Sequence, residues 1–84
     1  NVREAARFKA LGVKPGVPDV FVAVARGEHH GLFIELKAGK NGLTESQSDL
    51  HALLRQQGYA VETRYGWRDA AVTISNYLGI REGV

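Results

Sequence analysis

Hydrophobic and polar positions recur along this chain with two different periods. Residues 2–11 place Val2, Ala5, Ala6, Phe8 and Leu11 at a loosely helical spacing, and Gly12 stops the run. Pro15 and Pro18 mark a loop, because each lacks a backbone donor and pushes its predecessor toward extended geometry. Residues 19–26 (DVFVAVAR) and 32–38 (LFIELKA) are rich in β-branched and apolar side chains and predict two strands. The Gly27-Glu28-His29-His30-Gly31 segment between them is short enough for a hairpin. Residues 44–57 predict a helix, with Thr44 as N-cap, Gln47 completing a capping box and Gly58 as the stop. Residues 59–65 predict a third strand, and residues 68–78 a last amphipathic helix through Ala71, Ile74 and Leu78. The order α-β-β-α-β-α predicts a mixed α/β sandwich, a single domain over residues 1–84, whose third strand returns through a helical crossover.

Three ionisable residues interrupt strands that ought to be apolar. Asp19 opens the first strand directly after Pro18, and Glu35 and Lys37 lie inside the second. Strand side chains alternate, so Phe33, Glu35 and Lys37 share one face while Leu32, Ile34 and Leu36 share the other. In the hairpin register that sets Val20, Val22 and Val24 against those three apolar residues, Asp19 falls on the acidic face. There it is expected opposite Lys37, with Phe21 opposite Glu35. A slip of one residue would move Asp19 to the wrong face and mix the apolar sets. The pairing that builds the better hydrophobic face therefore also assembles an acidic site. Two converging carboxylates are costly unless neutralised. A hard divalent cation does this, taking one or two carboxylates together with water and substrate phosphate. Lys37 beside it would act on a water or on charge developing at the phosphate. The plainer alternative is a solvated Glu35–Lys37 pair with Asp19 capping a turn.

Composition narrows the classes. The 84 residues hold no cysteine, which excludes disulfides, cysteine-ligated zinc, iron–sulfur clusters and thiol catalysis. No apolar run approaches the ~18 residues of a membrane span, and no basic-then-apolar leader is visible. Eleven Lys and Arg against nine Asp and Glu leave a formal charge of +2, which is mild, but the distribution is uneven. Residues 1–40 hold seven Lys and Arg against four acids, two of which are the candidate ligands Asp19 and Glu35.

Pro18-Asp19 followed by Glu35-Leu36-Lys37 resembles the P-D…(D/E)-x-K motif of metal-dependent nucleases. The longer string is similar to the VRR-NUC (virus-type replication–repair nuclease) family: Gly16 through Val20, Phe33 through Lys40, and Leu43 through Gln47. The likeness runs from about Arg3 to Gly58 and more weakly to Leu78. It implies a restriction-endonuclease-like mixed sheet flanked by helices. It also implies Asp19, Glu35 and the backbone carbonyl of Leu36 as ligands of Mg²⁺ or Mn²⁺. Lys37 would be the catalytic lysine, and Gln47 would face the site from the start of the following helix. The family also has a helix bearing a further acid, and a first strand, ahead of this region. As the chain opens with Asn1 and not methionine, the expectation is that these lie upstream or that one ligand is lacking. Glu4 is not a substitute for it.

The resemblance further implies phosphodiester hydrolysis in branched DNA by a Holliday-junction-resolvase-like homodimer with two active sites, of viral or phage origin, acting in DNA repair in a host cytoplasm and not at a membrane. Flap or crosslink-repair cleavage, a catalytically degenerate DNA-binding module and a small interaction domain without DNA affinity are the alternatives. Arg3, Arg7, Lys9 and Lys14 before the site and Lys40 after it are expected to contact DNA phosphates, Lys14 and Lys40 foremost. His29 and His30 are expected at an exposed hairpin tip, and His51 on a helix surface. Tyr65 and Trp67 are expected as core or interface anchors, with base stacking as the other reading. The apolar load of Trp67, Ile74, Tyr77, Leu78 and Ile80 is expected to serve partly as a subunit interface.

Overall fold

A computed structural model describes residues 16–80. The helix expected over residues 2–11 lies outside them, as do Arg3, Arg7, Lys9 and Lys14. The described elements run β1 (Val20–Val22), β2 (Leu32–Lys37), α1 (Glu45–Gln56), β3 (Ala60–Tyr65) and α2 (Trp67–Leu78). This is the expected β-β-α-β-α order. The three strands form one sheet in the order β1-β2-β3, with β2 antiparallel to β1 and parallel to β3. A parallel neighbour requires a crossover, and α1 supplies it.

The hairpin differs from its expected register by two residues. Phe21 pairs with Phe33, and Val20 with Ile34, so the next step along the strands sets Asp19 across from Glu35 and not from Lys37. Phe21 accordingly does not face Glu35. The cause is the turn. Arg26 and His29 exchange both backbone hydrogen bonds, at 3.0 and 2.9 Å, around only Gly27 and Glu28. Gly27 has φ 57°, the positive value that glycine supplies at the first position of a two-residue turn. Between this tip and the Val22–Leu32 pair, one arm holds residues 23–25 and the other only His30 and Gly31. The extra residue ends β1 after Val22, far short of the expected residue 26, in the manner of a β-bulge. The freed carbonyls find side chains instead: the Tyr77 hydroxyl donates to Val24 O at 2.6 Å, and the Arg26 guanidinium donates to Ala25 O at 2.8 Å.

Alternation divides the sheet as expected. On one face, buried Leu32 and Ile34 pack with Ala70 of α2, joined by Val20, Val22, Leu36, Ala60, Ile74 and Tyr77. On the other, Leu50 and Leu54 of α1 pack with Val61, joined by Val17, Phe33, Leu53 and Tyr59. Ile74 and Tyr77 thus belong to the core, whereas Trp67 and Ile80 stay exposed at 61% and 58%. Both helix ends are closed by local chemistry. The Thr44–Gln47 capping box forms in full, and the Tyr59 and Ile80 amides bond back to Leu54 O and Ser75 O past Gly58 and Gly79.

The loop leading to Asp19 is pressed against the first turn of α1. Gly16 sits at φ 101°, and a Cβ there would lie 2.7 Å from Ser46 O. Only glycine meets both demands without strain. Gly16→Ala is expected to lower stability by about 1–3 kcal/mol, read as a lower urea midpoint with an unchanged m-value.

Candidate active site

Because β2 is hydrogen-bonded on both edges, its residues are held at fixed heights beneath α1. Glu35 is only 3% exposed there. An apolar side chain would suit such a position, and a carboxyl in it needs partners. Asp19, one strand away, is the first of these. Its carboxyl is hydrogen-bonded to that of Glu35, and its Oδ2 also accepts from the Leu36 amide at 2.8 Å. That bond anchors the Asp19 side chain to the middle strand at the point where β1 has not yet begun. In an extended strand the N–H and C=O of one residue point to the same edge. The Leu36 carbonyl therefore lies on the Asp19 side too.

The electrostatics follow from this crowding. Burial raises the Glu35 pKa from 4.5 to about 7, and the hydrogen bond and the negative charge of Asp19 push in the same direction, while Lys37 opposes them. Lys37, two residues along β2 on the same face, is half-buried.

His51 is a site residue that the sequence reading places wrongly. It was expected on a helix surface, but it is fully buried, and its Nε2 lies 3.4 Å from Glu35 Oε1. Burial lowers its pKa, and the nearby charges of Arg55 and Lys37 lower it further, so the imidazole is held neutral. Glu35 Oε1 and both His51 ring nitrogens are buried without a hydrogen bond. The available signal was the spacing Gln47, Leu50, His51, Leu54, which is the inward stripe of an amphipathic helix.

Gln47, one turn before His51, uses its amide oxygen to accept from the Thr44 amide at 2.9 Å, and its backbone amide donates to Thr44 Oγ1 at 3.2 Å. It lies in the first turn of α1, and its side-chain carbonyl is committed to the cap. Lys40 is exposed in the turn after β2, where Asn41 N bonds to Ala38 O. His29 and His30 are exposed as expected. Tyr65 and Trp67 are exposed and not core residues, and the Tyr65 hydroxyl donates to Asn41 O at 2.8 Å. On the opposite face of the sheet a cavity of about 340 Å³ is lined by Glu62, Arg64, Thr73, Asn76 and Tyr77 among others. Its cation is internally committed: Arg64 donates to Thr73 Oγ1 and Thr63 O, both at 2.7 Å, and pairs with Glu62 at 3.1 Å.

Among the described residues no group of three or more His, Asp or Glu side chains gathers into a ready-made metal cluster. The oxygen donors that do converge are the two carboxylates and the Leu36 carbonyl. The set suits a hard cation that keeps part of its water shell. Two carboxyl groups in contact, one with an unbonded buried oxygen, fit such a group: a cation would offset the burial, and after it the Asp19 charge, that hold the Glu35 pKa up.

The Glu35 shift carries a sign that can be measured without a metal. Between pH 4.5 and about 7 the folded protein holds a proton that the unfolded chain releases, so stability is greatest below this window and declines through it. Glu35→Gln is expected to flatten that decline, read as melting temperature against pH in the presence of a chelator.

Three comparisons with known proteins bear on the whole arrangement. The family model described as the VRR-NUC domain matches residues 2–67. A solved structure described as a VRR_NUC domain protein superposes with a TM-score of 0.74 at 37% identity, covering 92% of this chain and 64% of that one. The chain therefore spans slightly less than two thirds of that relative's length. A search among curated proteins gives no match. With the Pro18-Asp19 and Glu35-Leu36-Lys37 residues side by side on a sheet of the matching topology, the chain belongs to the VRR-NUC domain family, whose fold is of nuclease type.

Proposed function

We propose that this protein is a divalent-metal-dependent DNA endonuclease that hydrolyses phosphodiester bonds in branched DNA. The observation that carries the reading is the buried Glu35 carboxyl in contact with Asp19, with Lys37 on the same face, in a chain of this family. Asp19, Glu35 and the Leu36 carbonyl would hold Mg²⁺ or Mn²⁺. Bound there, the cation supplies a more acidic water and a positive centre for the phosphate oxygens.

The chain's own groups do the rest. Leu36 N–H holds Asp19 Oδ2, so one carboxylate is fixed before any ligand arrives. Lys37 projects from the same face as Glu35 and is half-exposed, which lets its ammonium reach a phosphate oxygen or orient the attacking water. Gln47 stands at the end of α1 nearest the loop that delivers Asp19, since Gly16 abuts Ser46. With its oxygen in the cap, its amide nitrogen is the atom free to orient Lys37 or water. Exposed Lys40 extends the positive rim along the path of the DNA backbone, and Arg7, Lys9 and Lys14 are proposed to continue it.

Two symmetric cuts across a four-way junction require two active sites, so the resolvase reading implies a C2 homodimer. Trp67 at the start of α2, Val72 within it and Ile80 just past its end are exposed apolar side chains, available to a partner subunit. A strict monomer in solution would instead favour the flap or crosslink-repair type of cleavage. A degenerate DNA-binding module is the reading left if no cleavage occurs.

With Mn²⁺ and a labelled four-way junction, Asp19→Asn, Glu35→Ala and Lys37→Ala are each expected to cut at least roughly 10²-fold more slowly than wild type. Asp19→Asn keeps an acceptor for the Leu36 amide, so its far-UV spectrum and melting should stay close to wild type. Wild-type cleavage no faster than that of Glu35→Ala defeats the enzyme reading, and light scattering gives the oligomeric state in the same preparation.

A further inference from the structure

Beneath the proposed metal ligands lies a buried group that the cleavage scheme leaves idle. His51 is 0% exposed, and neither ring nitrogen has a hydrogen bond, although a buried imidazole nitrogen without a partner is costly. The nearest ionisable atom is Glu35 Oε1, 3.4 Å from Nε2, and it too is buried and unbonded. Two complementary orphans thus face each other across slightly more than hydrogen-bond length. Their supports are rigid. Leu50 and Leu54 pin α1 to the sheet on either side of His51, and Glu35 sits on the strand bonded along both edges.

We propose that His51 is a positioning residue: its Nε2–H donates to Glu35 Oε1, leaving the other carboxylate oxygen and Asp19 to face a divalent cation. This rests on the metal reading above and deepens it. A carboxylate that ligates through one oxygen needs a donor on the other to fix its plane, and partners of this kind are worth roughly 10–100-fold in metal affinity. No competing side-chain donor reaches Oε1 among the described residues. Lys37 is on the same face but does not hydrogen-bond to that oxygen, and Arg55, one turn beyond His51, is spent on Val61 O at 2.8 Å. A purely apolar role for His51 would leave an unsatisfied carboxylate oxygen in the interior once the cation binds.

The test compares His51→Phe, which keeps a planar ring but removes the donor, with His51→Gln, whose side-chain amide can place an N–H near the position of Nε2. Mn²⁺ binding to the full chain is read by calorimetry and by the loss of free-ion electron paramagnetic resonance signal, with metal-free melting recorded alongside. The expected result is a Mn²⁺ Kd raised roughly 10–100-fold in His51→Phe and restored to within about threefold of wild type in His51→Gln. Equal Mn²⁺ affinity in wild type and His51→Phe overturns the role of His51. So does a folded His51→Gln protein as impaired as His51→Phe. If His51→Phe does not fold, His51→Gln decides: near-wild-type binding supports the inference and a loss of tenfold or more overturns it. Wild-type protein that takes up no Mn²⁺ overturns the metal reading itself, and with it this inference, which separates the two failures.

Discussion

Strand β2 carries hydrogen bonds on both edges, and a helix lies against each of its faces, so Leu32, Ile34 and Glu35 are all shut away from solvent. Leu32 and Ile34 meet α2 and satisfy this constraint in the ordinary way. Phe33 does the same against α1, but Glu35 does not, and a carboxyl group enclosed at mid-sheet is tolerable only with a proton, a cation or several donors. The positions of Asp19, Lys37 and His51 all follow from that single requirement. Each supplies one part of the environment that an enclosed carboxyl needs.

The helix that closes over Glu35 is also the crossover between β2 and β3. Placing His51 and Gln47 on this element ties the site to the topology, since α1 cannot move away from Glu35 without releasing the Leu50, Leu54 and Val61 cluster. The capping box then fixes where the helix starts, and Gly16 fixes how closely the Asp19 loop approaches that start. Site geometry is in this way held by ordinary stability terms on both sides of the chemistry. For the proposed nuclease, such an arrangement would keep the reacting groups in place before substrate binds.

Most of the fold was legible because the governing signals are local. Alternation in β2 assigns its faces, the Thr44–Gln47 pair starts α1, and Gly58 ends it. The parity that puts Asp19 and Glu35 on one face was legible too, because burial of Val20, Val22, Leu32 and Ile34 enforces it. The absolute register was not. It depends on how few residues make the turn, and neither the positive φ of Gly27 nor the extra residue within 23–25 leaves a signature in hydrophobic pattern. His51 was misread for a related reason. A histidine among leucines is compatible with either edge of a helix stripe, and only the proximity of Glu35, sixteen positions earlier, distinguishes them. Trp67 was expected as a core or interface anchor, and the core half of that reading fails because it opens α2 directly after Gly66 and stays exposed.

The irregular residues 23–25 also divide the hairpin into two mechanically separate parts. Between the Arg26–His29 tip and the Val22–Leu32 pair the ladder is interrupted, and Tyr77 holds the intervening backbone through Val24 O. A change in length or sequence at the tip can therefore be absorbed in this slack before it reaches β1. Asp19 stays across from Glu35 while the outer turn varies, so the tip is the place where this small domain can accept an insertion without retuning its chemistry.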